Sequence, residues 1–340
     1  MDPLFRYPTT LRVAYHTALH QVDGYRWLVQ RVEPDPRPSR KGRETPGAGR
    51  TPPLMSTDTP QRRPFRLIAL DLDGTLLTDE KDISDADSSA LKAFVQAGGV
   101  VVLASGRMTD NVRPLYDRLG FDGPTIAYNG ALVREPRSQG GKVILETGLP
   151  ARYADELIDY TRRERLHLNY YLDEKLYARD NADLRYYADL YSRQTGAVYQ
   201  FIPCLATFRG LAPTKLIIVT DPTIPDQPDP RHRDELYHVW SERWGSEVTV
   251  MRTNPEYLEF YNIDTSKGTA LKAVAEHYGI PQELTLAFGD NFNDAAMLRW
   301  AGCGVAVANA HPDVKAMVQW VSPLTNNESA VADAIHRLVS

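Results

Sequence analysis

The sequence is poor in cysteine and has no long apolar run. Only Cys204 and Cys303 occur among its 340 residues, too few for a disulfide framework, which favours a reducing, cytoplasmic setting. No uninterrupted apolar stretch reaches the roughly 20 residues of a membrane span. The first residues also lack the apolar segment and cleavage site of a secretory signal. The net charge of −5 argues against a general nucleic-acid binder. We therefore expect a cytoplasmic protein without membrane or nucleic-acid partners.

The charges are unevenly distributed along the chain. Residues 1–64 contain eleven Arg and Lys and six Asp and Glu, a difference of +5, so the remainder carries −10. Eight of the 24 prolines fall between Glu33 and Pro64. A stretch of this kind cannot bury enough apolar surface to offset its ordering entropy, so we expect residues 33–64 to be disordered. Residues 1–32 have poor periodicity and are expected to form a short helix or no regular structure, so we assign residues 1–64 to a disordered N-terminal extension. It is either a basic tail that binds a partner or, as we favour, sequence upstream of a native start at Met55.

Two short acidic motifs each follow directly on an apolar run. Residues 66–70 lead into Asp71-Leu72-Asp73-Gly74-Thr75, and residues 284–288 lead into Gly289-Asp290-Asn291-Phe292-Asn293-Asp294. Such runs are typical of buried parallel strands, and in open α/β sheets the ligand binds beyond the carboxyl ends of the strands. Both motifs should therefore face one cleft. Their carboxylates repel one another unless a cation such as Mg²⁺, which prefers oxygen ligands, neutralises them. A carboxylate beside Mg²⁺ is also a reasonable nucleophile toward phosphorus.

The order of predicted strands and helices divides the chain. After the strand at 66–70, a helix near 85–97 with Ser84 as its N-cap and a strand at 99–104 predict an α/β fold with a doubly wound parallel sheet. From residue 151 the pattern changes to helices and close antiparallel strands, beginning with a hairpin at 167–179. We therefore expect a core of residues 65–148 and 262–340, interrupted by an inserted α+β cap domain of residues 149–261.

Four motifs in this order resemble those of the haloacid dehalogenase superfamily of phosphatases. Besides the two acidic motifs, Ser105-Gly106-Arg107 follows an apolar strand, and Ser266-Lys267-Gly268 opens a helical pattern. The position of the insert, together with Tyr128-Asn129-Gly130-Ala131, is most similar to the Cof-type subgroup, which has a type II (C2) α/β cap. That resemblance implies a Rossmann-like core. One departure lies after Asn327-Glu328, where Ser329-Ala330 replaces the subgroup's Asp-Gly, and without that glycine we expect the last loop to differ in shape.

The resemblance implies roles for the acidic residues. Asp71, at a strand end, is assigned as the nucleophile that forms an aspartyl-phosphate. Asp73 would protonate the leaving oxygen and then activate water, and we expect crowding with a second carboxyl group to keep it protonated. Asp71, the backbone carbonyl of Asp73, and Asp290 would bind Mg²⁺. Asp294 would hold the water ligands of the ion, together with Asn293; alternatively, Asp294 is an ordinary acid in the first turn of a helix.

The resemblance also implies catalytic roles for Ser105 and Lys267. Ser105 would hydrogen-bond a phosphoryl oxygen; the alternative is a plain helix cap. Lys267 begins a helix, where a cation is unfavourable to the dipole, a placement explained if it neutralises Asp71 and the phosphoryl group. A tolerated surface lysine is the alternative.

A further group of residues is predicted to bind the substrate. Its members come from the loops around the cleft: Thr75, Gly106, Arg107, Asn129, Gly130 and Asn293. For Arg107 a solvated surface arginine is nearly as good an interpretation. Lys215 at the start of a cap strand could also reach the substrate, but it is not assigned a role.

The resulting hypothesis is a Mg²⁺-dependent phosphatase of small phosphorylated metabolites, with sugar phosphates foremost. Its partner would be a small-molecule phosphate ester, and the oligomeric state is left open. Two alternatives remain at this point: a phosphotransferase or phosphomutase on the same scaffold, and an inactive binding protein with this fold. The second is disfavoured because every expected catalytic residue is present. A pump with an aspartyl-phosphate is excluded by the lack of membrane spans.

Overall fold

The computed structural model describes residues 62–220 and 233–340. The predicted N-terminal extension falls outside these ranges except for its last residues. There Arg63 forms a bridge with Val339, and its N–H donates to the carbonyl of Leu338 at 2.8 Å. The C-terminal segment thus offers hydrogen-bond partners to the backbone of Arg63, and the boundary expected at residue 64 stays a prediction.

Strands and helices alternate through most of the described chain. The strands are β1 Leu67–Asp71, β2 Val100–Ala104, β3 Thr125–Ala127, β4 Leu132–Arg134, β5 Val143–Glu146, β6 His167–Leu172, β7 Lys175–Arg179, β8 Tyr199–Ile202, β9 Lys215–Val219, β10 Val248–Arg252, β11 Tyr257–Asn262, β12 Thr285–Gly289, β13 Cys303–Ala306 and β14 Trp320–Val321. The α-helices are α1 Asp85–Gln96, α2 Thr109–Leu119, α3 Ala151–Arg163, α4 Arg185–Thr195, α5 Arg233–Trp244, α6 Lys267–His277, α7 Ala295–Trp300, α8 Pro312–Lys315 and α9 Ala330–Leu338.

The larger sheet of the described residues has the order β14-β13-β12-β1-β2-β3-β4-β5. It is parallel from β14 to β3 and antiparallel from β3 to β5. Along β1, Ile68 and Leu70 pack among residues of α1, α2 and α9, whereas Leu67 and Ala69 pack among residues of α6 and α7. Because side chains alternate between the two faces of a strand and helices cover both faces, the whole run is apolar. This arrangement confirms the predicted doubly wound α/β fold.

A second sheet of the described residues has the order β10-β11-β9-β6-β7-β8 and is antiparallel except for the pair β7 and β8. Helices α3 and α5 cover one face. The other face carries Tyr171, Tyr257 and Tyr261, and Tyr191 of α4 packs in the same cluster; we call these four residues the tyrosine face. They also pack with Tyr128, which lies in a loop of the larger sheet. The second sheet therefore directs a tyrosine-rich surface toward the first.

The chain passes between the two sheets at two adjacent points. Asn262, at the end of β11, donates a hydrogen bond of 2.9 Å from Nδ2 to the carbonyl of Gly148. The N–H of Leu149 donates to the carbonyl of Pro213 at 2.7 Å. The first bond joins the two connections to each other, and the second joins the first connection to the segment before β9. Within residues 62–220 and 233–340, no helix has the length and apolar character needed to cross a membrane.

Local predictions agree with the structure where side-chain chemistry determines them. Ser84 is the N-cap of α1 and accepts from the N–H of Asp87, as predicted. Strands β4, β8 and β14 were not predicted, since each has at most four residues, too few to establish an alternating pattern.

The last loop contains a residue in the left-handed conformation that is not glycine. Ser329 has φ 62° and ψ 48°, and its hydroxyl donates to Ser84 Oγ at 2.8 Å. Ala330, at the position of the subgroup's glycine, is the first residue of α9. The positive φ in this loop therefore lies at Ser329, one residue before the position of the missing glycine, and the expected difference in loop shape stays a prediction.

Candidate functional site

Lys267 joins the two acidic motifs. It begins α6, where the side chain of the N-cap Ser266 accepts from the N–H of Thr269 and so fixes the first turn. Its Nζ donates to Asp71 Oδ1 at 2.5 Å and to Asp294 Oδ1 at 2.6 Å, and the side chain is fully buried. Burial lowers the pKa of Lys267, but the two carboxylates outweigh it and raise the pKa above its ordinary value. The interpretation as a surface lysine is therefore wrong.

The second oxygen of Asp294 fixes the loop that carries Asp290. Asp294 Oδ2 accepts from the backbone N–H groups of Asp290 and Asn291, each at 3.1 Å. A Cβ at Gly289 would lie 2.5 Å from Asp294 Cβ, so this close approach requires glycine. Both carboxylate oxygens of Asp294 are thus engaged by protein groups.

Asp290 is positioned by the first motif. Its Oδ1 accepts from the hydroxyl of Thr75 at 3.1 Å. Gly74 lies beside it with φ 85°, a conformation that favours glycine, and a Cβ there would come within 2.8 Å of Asp290 Oδ2. Thr75 is predicted to bind the substrate, but in this structure its hydroxyl donates a hydrogen bond to Asp290.

Asp71, Asp290 and Asp294 form an acidic cluster that could hold a metal ion. One carboxylate oxygen from each lies within 4.8 Å of the others. Burial, with the charge of Asp294 as the next cause, raises the pKa of Asp71 well above its ordinary value. The same two causes raise the pKa of Asp290 to about 6. A divalent cation would relieve this repulsion, and the all-oxygen donor set fits one.

The side chain of Asp73 is directed away from this cluster. Its carboxylate forms a bidentate pair with Arg107, at 2.7 Å from Nη2 and 3.1 Å from Nε, and also accepts from Lys81 Nζ at 2.9 Å. Burial alone would raise the pKa of Asp73, but the two cations outweigh it and lower the pKa. The expectation that crowding keeps Asp73 protonated is therefore wrong in this state, because its neighbours are cations rather than a second carboxylate.

The loop after β2 lies against the loop after β3. Ser105 is buried, its Oγ accepts from the N–H of Arg107 at 3.2 Å, and its carbonyl accepts from the N–H of Asn129 at 2.9 Å. Asn129 has φ 55°, and its Oδ1 accepts from Asn293 Nδ2 at 3.2 Å. A Cβ at Gly106 would lie 3.1 Å from Asn129 Oδ1. Four predicted site residues are thus brought together: Ser105, Gly106, Asn129 and Asn293.

Gly130 has a packing role in this structure. It has φ 104°, and a Cβ there would come within 2.2 Å of the carbonyl of Ser266. Only glycine allows this contact with the residue that caps α6. Gly130 therefore positions the helix that begins with Lys267.

A cavity of about 840 Å³ lies between the two sheets. From the core it is lined by predicted residues including Asp71, Asp73, Ser105, Arg107 and Asp290. From the insert it is lined by Tyr171, Tyr191, Tyr257, Lys215 and Glu259, among others. Its volume is in the range of small-molecule sites.

Sequence reasoning missed several residues of this cavity. Lys81 lies in the turn after the first motif, and no pattern predicts its contact with Asp73. Glu259 is a buried carboxylate within the apolar strand β11, and Lys215 is a buried cation at the start of β9. The signal that could have indicated both residues is a charge within or beside an apolar run; of the two, only Lys215 was noted as able to reach the substrate.

A comparison with protein families identifies one that matches nearly all of the described chain. Residues 68–335 match the model of the haloacid dehalogenase-like hydrolase family. Among curated proteins, the pyridoxal phosphate phosphatase YbhA of Escherichia coli is 30% identical over 274 residues, covering 74% of this chain and 90% of YbhA. The 5-amino-6-(5-phospho-D-ribitylamino)uracil phosphatase YitU of Bacillus subtilis is 29% identical over 280 residues, covering 80% and 96% of the two chains.

The solved structures include close matches to the fold. The crystal structure of TM0651 from Thermotoga maritima matches with a TM-score of 0.71 and 34% identity, covering 81% of this chain and 98% of that one. The family match of residues 68–335 includes strands of both sheets. The likeness therefore extends over the core and the insert.

Proposed function

We propose that the chain, which belongs to the haloacid dehalogenase-like hydrolase family, is a Mg²⁺-dependent phosphatase that hydrolyses small phosphorylated metabolites through an aspartyl-phosphate at Asp71. The observation that carries the proposal is the position of Asp71 at the end of β1. There its carboxylate is held by a buried Lys267 and lies within the cluster formed with Asp290 and Asp294. The relatives YbhA and YitU are named for small phosphate esters, which supports the same class of substrate here.

The acidic cluster offers a binding site for Mg²⁺. Asp71 and Asp290 would bind the ion directly, together with the backbone carbonyl of Asp73. Asp294 would hold water ligands of the ion rather than bind it directly, since Lys267 and two backbone N–H groups already occupy its oxygens. Bound Mg²⁺ would neutralise the carboxylates and the phosphoryl oxygens, which is the chemistry that an all-oxygen site supports.

The proposed reaction divides between two aspartates. A carboxylate oxygen of Asp71 attacks phosphorus, and the bond from phosphorus to the leaving oxygen breaks. Asp73, which is ionised beside Arg107 and Lys81, must first take up a proton from solvent; it would then give that proton to the leaving oxygen and take one from the water that hydrolyses the aspartyl-phosphate. For this role Asp73 must leave its bidentate contact with Arg107, and an incoming phosphate ester provides Arg107 with an alternative anionic partner.

Other residues would hold the phosphoryl group and the rest of the substrate. Lys267 would neutralise the phosphoryl oxygens and the hydroxyl of Ser105 would hydrogen-bond them, and Thr75 would join them once Asp290 binds a metal; the contacts of Lys267 with Asp71 and of Thr75 with Asp290 support these roles. Arg107, Asn129 and Asn293 line the loops on the substrate side. Lys267 is buried in a pocket of low dielectric, so its charge acts more strongly than it would in water.

We further propose that residues 149–261 act as a cap that selects the substrate, while residues 65–148 and 262–340 perform the chemistry. The two connections joined by Asn262 and Gly148 would allow the cap to open and close over the cleft. Closure would exclude bulk water from the catalytic carboxylates. The cytoplasmic location expected from the sequence stays a prediction.

A panel of phosphorylated metabolites tests this function. Purified protein with Mg²⁺ should release inorganic phosphate from several small esters, and sugar phosphates should be among the best substrates. Added alcohols should not divert the phosphoryl group to a new ester, because water is the proposed acceptor. Absence of turnover on every ester of a broad panel would contradict a phosphatase, and transfer to added alcohols would favour a phosphotransferase.

A further inference from the structure

Lys215 and Glu259 form a buried ion pair in the wall of the cavity that the cap contributes. Their side chains are 4% and 8% exposed, and Lys215 Nζ lies 3.0 Å from Glu259 Oε2. Lys215 begins β9 and is aligned with Tyr171 of β6, on the tyrosine face. Both members of the pair line the same cavity as Asp71 and Asp290. The pair therefore faces the catalytic carboxylates rather than the interior of the cap.

Lys215 keeps hydrogen-bonding capacity that the described residues do not use. An ammonium group has three N–H donors, and among the described contacts one of them goes to an oxygen, that of Glu259. Its other neighbours are the faces of Tyr128, Tyr171 and Tyr261, with ring centroids 5.1 to 5.8 Å away. These rings favour a cation but do not replace a hydrogen-bond acceptor.

Glu259 also has a remaining acceptor position. A carboxylate has about four lone-pair sites. Lys215 and the hydroxyl of Tyr261, at 2.5 Å, use Oε2, and the hydroxyl of Thr253 uses Oε1 at 2.6 Å. Burial alone would raise the pKa of Glu259, but Lys215 and the two hydroxyls lower it, so the carboxylate stays ionised at neutral pH.

A series of hydrogen bonds connects the Lys215–Glu259 pair to the core. Tyr261 donates to Glu259 and accepts from Asn129 Nδ2 at 3.1 Å, and Asn129 Oδ1 accepts from Asn293 Nδ2. Asn293 directly precedes Asp294 of the acidic cluster. The chain thus fixes the cap's ion pair relative to the loops that carry the catalytic groups.

We propose that Lys215 and Glu259 recognise a neutral hydroxyl group on the leaving part of the substrate, with Lys215 donating a hydrogen bond to the hydroxyl oxygen and Glu259 accepting one from the hydroxyl O–H. The preferred substrates would then be monophosphate esters of polyhydroxy molecules. A hydroxyl satisfies both partners, because it accepts and donates. A carboxylate or second phosphate at this place would be repelled by Glu259, 3.0 Å from the ammonium. This inference rests on the proposed phosphatase function.

Three esters of six-carbon molecules test it in the wild-type protein. Sorbitol 6-phosphate offers neutral hydroxyls, hexyl phosphate has the same chain length without hydroxyls, and 6-phosphogluconate carries a terminal carboxylate. We expect kcat/KM to be highest for sorbitol 6-phosphate, about tenfold or more above hexyl phosphate, since a site built to bind a hydroxyl discriminates against its absence. Equal kcat/KM for the polyol and hexyl esters, or a preference for 6-phosphogluconate, would overturn the inference.

Substitutions identify the pair as the origin of the preference. Lys215→Met should lower kcat/KM for sorbitol 6-phosphate about tenfold or more, mainly through KM, with a clearly smaller loss for hexyl phosphate. The double variant Lys215→Met/Glu259→Gln avoids an unpaired buried carboxylate and should show the same loss of preference if the single variant does not fold. Lys175→Met, at an exposed lysine of the same sheet, is the control and should keep the wild-type preference.

The outcomes separate this inference from the function on which it rests. An equal loss on sorbitol 6-phosphate and hexyl phosphate in a folded variant would assign the pair a structural role and overturn the inference, while phosphatase activity stands. Hydrolysis of hexyl phosphate by the wild type without any preference for the polyol ester would do the same. Turnover of other esters of the broader panel but of none of these three would overturn the inference alone. Failure of the wild type on these three and on every ester of the broader panel would overturn both.

Discussion

Lys267 Nζ lies 2.5 Å from Asp71 Oδ1, although the two residues are 196 positions apart in the sequence. The contact is buried and Lys267 also pairs with Asp294, so two carboxylates share one cation. This relationship brings together the end of β1, the start of α6 and the loop after β12. It also leaves the acidic cluster with an excess of negative charge, since Asp290 is a third carboxylate beside it.

Replacing Lys267 should destabilise the protein strongly. In Lys267→Met, two buried carboxylates lose their cation, and removal of one partner of a buried ion pair costs about 3–5 kcal/mol in the free energy of unfolding. Denaturant unfolding without added metal measures the loss. Lys272→Met, on the same helix in an exposed pair with Glu276, should change the free energy of unfolding by less than about 1 kcal/mol. Similar small effects for the two variants would contradict the buried pairing.

Metal binding should depend on pH through the acidic cluster. The pKa of Asp290 is raised from 3.8 to about 6 in the metal-free protein. A raised carboxyl pKa contributes stability that is fully present below the unfolded pKa and is lost as pH rises through about 6. Mg²⁺ binds the ionised form, so it should raise the melting temperature more at pH 7.5 than at pH 5. An equal increase at both pH values would contradict binding at this cluster.

Chelation should abolish turnover, and Mg²⁺ should restore it. Ca²⁺ should support turnover poorly, because its longer and less regular coordination would misplace the phosphoryl group. The measurement is phosphate release after dialysis against a chelator, followed by titration with each cation. Full activity in the chelator would exclude an essential metal.

Removing Arg107 should move the ionisation of Asp73 to higher pH. Arg107 and Lys81 together lower the pKa of Asp73 against the effect of burial, so Arg107→Ala removes part of the lowering and the pKa rises. In a plot of kcat/KM against pH, the limb that depends on the ionisation of Asp73 should shift toward alkaline pH, in addition to any loss of substrate binding. Arg137→Ala, at an exposed arginine, should leave the profile in place. An unshifted limb in Arg107→Ala would show that Asp73 does not determine it.

The sequence predicted the features that depend on strand ends. Asp71 and Asp290 both follow buried strands, and parallel pairing of β1 with β12 brings the two positions to one edge. The resemblance to the haloacid dehalogenase superfamily is confirmed by the family match. The N-cap of α1 could also be predicted from the local sequence, because the side chain of Ser84 accepts a hydrogen bond within the first turn.

Contacts that arise only from tertiary structure could not be predicted. The charge state of Asp73 depends on Arg107, which follows a different strand, and on Lys81, which a turn brings back. The network around Glu259 needs the alignment of β9 with β11 and the meeting of the two sheets, and no local pattern specifies either. The left-handed Ser329 illustrates the same limit, since its hydrogen bond to Ser84 spans 245 residues.

Turnover by Asp71→Asn tests the central claim most directly. The variant keeps the size of the side chain and an acceptor for Lys267 but removes the nucleophile, so phosphate release with Mg²⁺ at pH 7.5 should fall about a thousandfold or more, with the circular dichroism spectrum unchanged. Asp183→Asn, at an exposed aspartate of the cap, should retain wild-type turnover. If folded Asp71→Asn keeps more than about a tenth of wild-type activity, a barrier change of under ~1.4 kcal/mol, then Asp71 is not the nucleophile.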